Sequence, residues 1–175
     1  RAATSRAPSS QRSTRSRQKH AISLAFALAA PFTGCRQFYV GAYHVRITPM
    51  NELPEITRFL SDLPGFEELD EKQLNAAARA IQIGYYKAGS QVLTIGDSNM
   101  QLHIVRSGAL ELRNAEGDLV MRGAEGDVFG FPSLMNMTPL RNQSVTIEDS
   151  LIYHLDGQVF AELRRKNDRF DTYFI

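Results

Sequence analysis

The sequence predicts a mainly β domain with flanking helices, folded as an antiparallel double-stranded β-helix, or jelly-roll barrel. Two observations predict it. Between Ile81 and Leu155, short β-like runs are separated by clusters of turn residues. On both sides of that region the apolar residues recur at helical spacing instead. Many short strands punctuated in this way suggest a sandwich or a barrel.

Leu53, Ile56, Phe59, Leu60 and Leu63 form an apolar face of helical period, and Pro64-Gly65 ends it. Asp70 followed by Gln73 is a capping pair, and acidic Asp70 and Glu71 suit the positive end of a second helix running through Ala80. The period then changes, with Ile81, Ile83 and Tyr85 alternating with other residues. Turns follow at Lys87-Ala-Gly-Ser, Gly96-Asp-Ser-Asn, Ser107-Gly, Asn114-Ala-Glu-Gly-Asp and Gly123 to Asp127. After Val145-Thr-Ile and Leu151-Ile-Tyr-His-Leu, helical spacing returns at Val159, Phe160 and Leu163, and another amphipathic start lies near Phe170. The pattern runs to Ile175 without a cap, as expected of a piece of a longer protein.

Composition divides the chain. Hydrophobic residues make up 43% and charged ones 22%, ordinary globular values for a length that favours one domain with appendages. Eight of the 20 basic residues precede the first acidic one, Glu52. Residues 52–175 therefore carry 12 basic against 19 acidic side chains, a formal charge of −7. Such a surface repels polyanions, so no nucleic-acid partner is expected, and only a small local anion site fits. The lone cysteine, Cys35, excludes an intrachain disulfide and a zinc-thiolate cluster. A cytoplasmic, reducing setting fits best. No apolar run reaches the ~20 residues of a membrane-spanning helix; the nearest is Ala21 to Phe32.

Residues 1–49 are set apart from the globular part, residues 50–175. The first 20 are rich in Arg, Ser, Thr, Ala and Gln and are expected to be disordered. The Ala21 to Pro31 run with Phe32-Thr-Gly-Cys35 resembles a bacterial lipoprotein signal, and the acid-free Arg/Ser stretch also resembles an organelle transit peptide. A disordered arm, a targeting segment and a tail foreign to the fold all remain open.

Within the β region, Tyr86-Lys-Ala-Gly-Ser-Gln-Val-Leu, then Gly96-Asp, then Leu102-His-Ile-Val-Arg-Ser-Gly-Ala-Leu-Glu-Leu, and then Gly126-Asp-Val-Phe-Gly130 follow one another. In this order and spacing they resemble the cyclic-nucleotide-binding domain, over roughly Phe66 to Ile175. The resemblance implies that the segment after Gly130 wraps a ligand's phosphate. Physically, that task needs glycine where backbone approaches an anion, then helical amides aimed at it. Gly130, Phe131, Ser133 and Leu134 occupy this segment, with Pro132 suited to a first helical turn. Arg141 lies after Pro139, close to where the family places its phosphate-pairing arginine, whose guanidinium can grip two oxygens, and Ser144 matches its Ser or Thr three positions later. The candidate ligand residues are thus Gly130, Phe131, Ser133, Leu134, Arg141 and Ser144.

Two departures are visible. The family's ribose-binding glutamate is here Phe131, and Leu140 lengthens the phosphate loop by one residue before Arg141. Losing one charge-assisted hydrogen bond, worth about 1.5–3 kcal/mol, lowers affinity by one or two orders of magnitude. Cyclic AMP, another adenine nucleotide, or no ligand at all therefore remain as expectations. The run Phe129-Gly-Phe-Pro-Ser-Leu134 also resembles the N-terminal module of bacterial signalling proteins that join this domain to cystathionine-synthase-type pairs and a nucleotidyltransferase-like domain. Any such catalysis would lie beyond this chain.

No nucleophile and base can be nominated together: Gly-x-Ser-x-Gly, His-Glu-x-x-His and a phosphate loop ending in Gly-Lys are all missing. Neither a catalytic residue, a metal ligand nor a cofactor is expected. His103 and His154 read as satisfied strand histidines, and Tyr85, Tyr86, Met135 and Met137 as packing residues. The functional reading is a regulatory nucleotide-sensing module, with a homodimer among its allowed states. The alternative is a degenerate barrel kept for dimerisation or docking.

Overall fold

The computed structural model describes residues 52–175 and the backbone of one earlier strand, Tyr43–Val45. The expectations placed on residues 1–20 and on Ala21 to Cys35 lie outside the described residues.

Helix α1 (Leu53–Ser61) carries Pro54 in its first turn and buries Ile56 and Leu60. A 3-10 turn, Phe66–Glu68, leads into α2 (Glu71–Arg79). The capping box is complete: the Gln73 amide donates to Asp70 Oδ1 at 2.8 Å, and the Asp70 amide donates to Gln73 Oε1 at 3.0 Å. The change of period at Ile81 is the start of the β region. With β1 as Tyr43–Val45, the next strands are β2 (Ile81–Tyr86), β3 (Gln91–Leu93), β4 (Gln101–Ser107), β5 (Leu110–Arg113), β6 (Leu119–Gly123) and β7 (Val128–Phe129). A short helix, α3 (Phe131–Asn136), interrupts them before β8 (Gln143–Thr146) and β9 (Ser150–Asp156). The chain then runs into α4 (Gly157–Lys166), capped by the Asp156 carboxylate, and α5 (Asp168–Tyr173), capped by Asn167.

The strands form two antiparallel sheets, ordered β1-β2-β9-β4-β7 and β3-β8-β5-β6. This is the double-sheet arrangement expected from the strand spacing, with helices at both flanks. Strand β1 lies inside the segment set apart as residues 1–49, pairing Tyr43 with Tyr85 and Val45 with Ile83.

Apolar burial falls into two clusters. Tyr86, Val92, Val105, Leu110, Phe129, Leu140 and Ile152 fill the space between the sheets. Ile104, Tyr153 and Leu155 join α1, α2, α4 and α5 through Leu60, Leu74, Phe160 and Phe170, with Phe66 and Phe174 beside them. The faces of β4 and β9 thus serve both cores, and both strands are almost continuously buried. Arg106 joins α1 to the barrel, 4.7 Å above the Phe59 ring and paired with Glu55 and Glu125. Among the described residues, no helix is long and apolar enough to cross a membrane.

Candidate functional site

A cavity of about 790 Å³ opens beside α3, lined on its apolar side by Leu93, Leu112, Val120, Met121 and Phe129. Its polar side is the segment from Gly130 to Asn142. The size and the balance of apolar wall and few polar groups suit a small-molecule ligand.

The turn at Gly130 has a physical cause. Its φ of +81° favours glycine, and a Cβ there would sit 2.8 Å from His103 Cδ2 and 2.9 Å from Asn99 Nδ2. No larger residue fits. Its carbonyl accepts from Asn99 Nδ2 at 2.8 Å and from the Ser133 hydroxyl at 3.0 Å. Pro132 follows in the first turn of α3, where its missing N–H leaves nothing unsatisfied. The helix ends at Met137, whose φ of +49° is left-handed. Met137 is 92% exposed, not packed as the sequence suggested, because this backbone turn throws it outward.

Leu140, the extra residue of the loop, is an anchor. It is buried in the barrel core, its amide donates to the Asp97 carbonyl at 2.9 Å, and its carbonyl accepts from the Gly96 amide at 2.8 Å. With Leu140 pinned inward, Arg141 next to it is exposed and lines the cavity. Among the described residues its guanidinium makes no hydrogen bond or ion pair. Asp149 is occupied elsewhere, accepting from the Tyr85 hydroxyl at 2.7 Å and the Ala88 amide at 2.9 Å. The Tyr85 hydroxyl donates to that carboxylate, which raises the Tyr85 pKa and lowers that of Asp149.

Of the six residues singled out in the sequence, Gly130, Phe131, Ser133 and Arg141 come together around the cavity. Leu134 and Ser144 do not line it. Leu134 packs with the helical core, and Ser144 is fully buried with its hydroxyl accepting from the Leu93 amide at 3.0 Å. Phe131 faces two ways. It borders the cavity, and its ring meets Phe174 edge-on at 5.5 Å. No carboxylate occupies its position, and the other polar side chains at the cavity are those of Asn136, Thr138 and Asn142.

Sequence reasoning missed the group beneath Gly130. His103 and His154 are direct partners across β4 and β9, and their Nδ1 atoms lie 2.7 Å apart. His103 Nε2 lies 3.1 Å from Asn99 Oδ1, and His154 Nε2 lies 3.0 Å from the Tyr86 hydroxyl. Burial, first, and the neighbouring His154, second, hold the His103 pKa well below its ordinary value. The two histidines are far apart in sequence and Asn99 lies in the irregular segment before β4, so only strand register could have signalled the group. Among the described residues, no cluster of His, Cys, Asp and Glu could hold a metal ion.

Comparison with known proteins gives the same framework. The cyclic nucleotide-binding domain model matches residues 83–167, from β2 to the end of α4. The cAMP-dependent protein kinase regulatory subunit of Schizosaccharomyces pombe is 33% identical over 93 residues, covering 53% of this chain and 22% of that relative. The chain thus matches only about a fifth of that relative's length. Among solved structures, the regulatory domain of Toxoplasma gondii PKA with cAMP superposes with a TM-score of 0.61 at 25% identity, covering 68% of this chain and 47% of that one. The sensor domain of the transcriptional regulator DNR from Pseudomonas aeruginosa superposes at 0.63 with 13% identity, over 67% of this chain and 86% of that one. The two-sheet barrel, the helix set into it after Gly130 and the family match agree, and residues 83–167 are a domain of the cyclic nucleotide-binding family.

Proposed function

We propose that this domain binds a nucleotide through its phosphate between Gly130 and Arg141, and that it acts as a regulatory module of a larger signalling protein. The observation that carries the reading is Arg141. An exposed guanidinium without a partner among the described residues borders a cavity whose opposite rim is the tight Gly130–Ser133 turn. A phosphate supplies the two oxygens that such a fork accepts. Cyclic AMP is the first candidate, since the Toxoplasma gondii neighbour is named as a complex with it. Phe131 weakens recognition of the ribose, so related adenine nucleotides remain competitors.

Ligand contact would reach the terminal helices by a short route. Phe131 touches Phe174 just beyond α5, and Leu134 packs at the start of α4, where a Cβ on Gly157 would lie 2.8 Å from its Cδ1. A shift of α3 on binding therefore changes the seat of both helices. Catalysis is assigned to no residue of 52–175, and a cytoplasmic location is the companion proposal. The narrower link to bacterial proteins with cystathionine-synthase-type and nucleotidyltransferase-like domains rests on Phe129-Gly-Phe-Pro-Ser-Leu134 alone.

The test is calorimetry and thermal shift of the full chain with cyclic AMP, cyclic GMP, AMP, ATP and adenosine. A ligand at 100 times its Kd stabilises a domain by about 2.7 kcal/mol. Stabilisation by a phosphate-bearing ligand and not by adenosine is expected. Indifference to all five would end the proposal.

A further inference from the structure

The hydrogen bonds beneath Gly130 have a direction that the geometry itself assigns. Asn99 Nδ2 faces the Gly130 carbonyl at 2.8 Å, so that end of the amide must be the donor. Its Oδ1 accepts from the Gln101 amide at 3.1 Å, which fixes the same orientation independently. His103 Nε2, 3.1 Å from that oxygen, must then carry a hydrogen. In a neutral imidazole this leaves His103 Nδ1 as an acceptor, and His154 Nδ1, at 2.7 Å, as its donor. The Tyr86 hydroxyl, 3.0 Å from His154 Nε2, stands next in line.

The site is built for this chain of groups. Tyr86, His103 and His154 are 1%, 4% and 2% exposed. Phe129, beside Gly130, stacks on His103 with centroids 5.1 Å apart and planes 26° apart. Glycine at 84 leaves room on the other side, where a Cβ would lie 2.6 Å from His154 Nε2. A buried run of polar groups is worth its desolvation only when its members are satisfied, and these are.

The consequence lies in the next peptide. The bond from Gly130 to Phe131 is planar and trans, so its N–H points opposite to its C=O. With the carbonyl held by Asn99 and Ser133 at 2.8 and 3.0 Å, and more loosely by the Leu134 amide at 3.4 Å, the Phe131 amide faces away from them. We propose that Asn99, oriented by the His103–His154 pair, is a positioning residue that holds the Gly130–Phe131 peptide with its N–H turned toward the bound phosphate. This rests on the nucleotide reading of the cavity and adds to it the device that orients the turn.

The test compares the full chain with its Asn99→Ala and His103→Phe variants, with Ser98→Ala as control. Nitrogen NMR of the unmutated protein is expected to show His103 protonated at Nε2 and bare at Nδ1. Asn99→Ala is expected to release that tautomer, to move the Phe131 amide resonance, and to weaken cyclic AMP binding at least about tenfold, while Ser98→Ala changes none of these. His103→Phe is expected to move the same amide. An unchanged tautomer and an unmoved Phe131 amide in Asn99→Ala would overturn the proposal, as would an affinity within twofold of the parent. If the parent bound none of cyclic AMP, cyclic GMP, AMP and ATP, the nucleotide reading would fall by itself. The tautomer and the amide would still decide whether Asn99 sets this peptide.

Discussion

His103 and His154 share one hydrogen between Nδ1 atoms 2.7 Å apart, so the contact exists only while one of those nitrogens is bare. That dependence ties the fold's stability to pH. Burial lowers the His103 pKa well below 6.5, so the folded protein resists a proton that the unfolded chain accepts. The unfolded state then binds more protons, and stability is complete above about pH 6.5 and falls as pH drops below it, toward the folded value. One such group contributes a slope of up to about 1.4 kcal/mol per pH unit. Chemical denaturation between pH 7.5 and 5 is expected to show this loss, and His103→Phe is expected to flatten it. An equal slope in the variant would contradict the assignment.

Arg141→Ala is expected to weaken cyclic AMP binding by about one to two orders of magnitude, the worth of a hydrogen bond to a charged group. Its side chain is exposed and has no partner among the described residues, so the melting temperature should stay within a degree or so of the parent. Arg141→Lys should recover only part of the affinity, because a point charge replaces a two-toothed donor. Titration calorimetry and differential scanning fluorimetry on the same samples separate the two effects.

Leu140→Ala should act on stability first. Leu140 is 7% exposed and sits in the barrel core, so truncation is expected to cost about 2–5 kcal/mol in urea unfolding. Weaker ligand binding should accompany that loss, because Leu140 also fixes where Arg141 emerges.

Phe131 and Phe174 meet edge-on at 5.5 Å. A double-mutant cycle with Phe131→Leu and Phe174→Leu is expected to return a coupling of about 0.5–1.5 kcal/mol. Hydrogen exchange in α5 should quicken in Phe131→Leu, although residue 131 lies far from 168–173 in sequence. Additive substitutions would show that the ring contact carries nothing between cavity and helix.

The legible part of this protein was its local part. Spacing of Ile56 and Leu60, the Asp70–Gln73 cap, the change of period at Ile81 and the turn glycines each state a preference of a few neighbouring residues. Gly130 and Pro132 were readable for the same reason, since a positive φ and a missing N–H are local requirements. Leu140 was less so. In the sequence it only lengthened the loop before Arg141, and its burial and its backbone bonds to Gly96 and Asp97 show it to be the loop's anchor. Ser144, matched by position alone, spends its hydroxyl on the Leu93 amide inside the barrel.

By itself the sequence determined the order of helices and strands, the acidic character of residues 52–175 and the turn at Gly130, because these follow from chain-local sterics, periodicity and composition. Tertiary structure alone decided that His103 faces His154 across two strands, that Asn99 reaches the Gly130 carbonyl, and that Phe131 leans on Phe174. Each of these contacts depends on the register of one segment against another. A register is chosen by the whole buried face at once, so no short stretch of residues announces it.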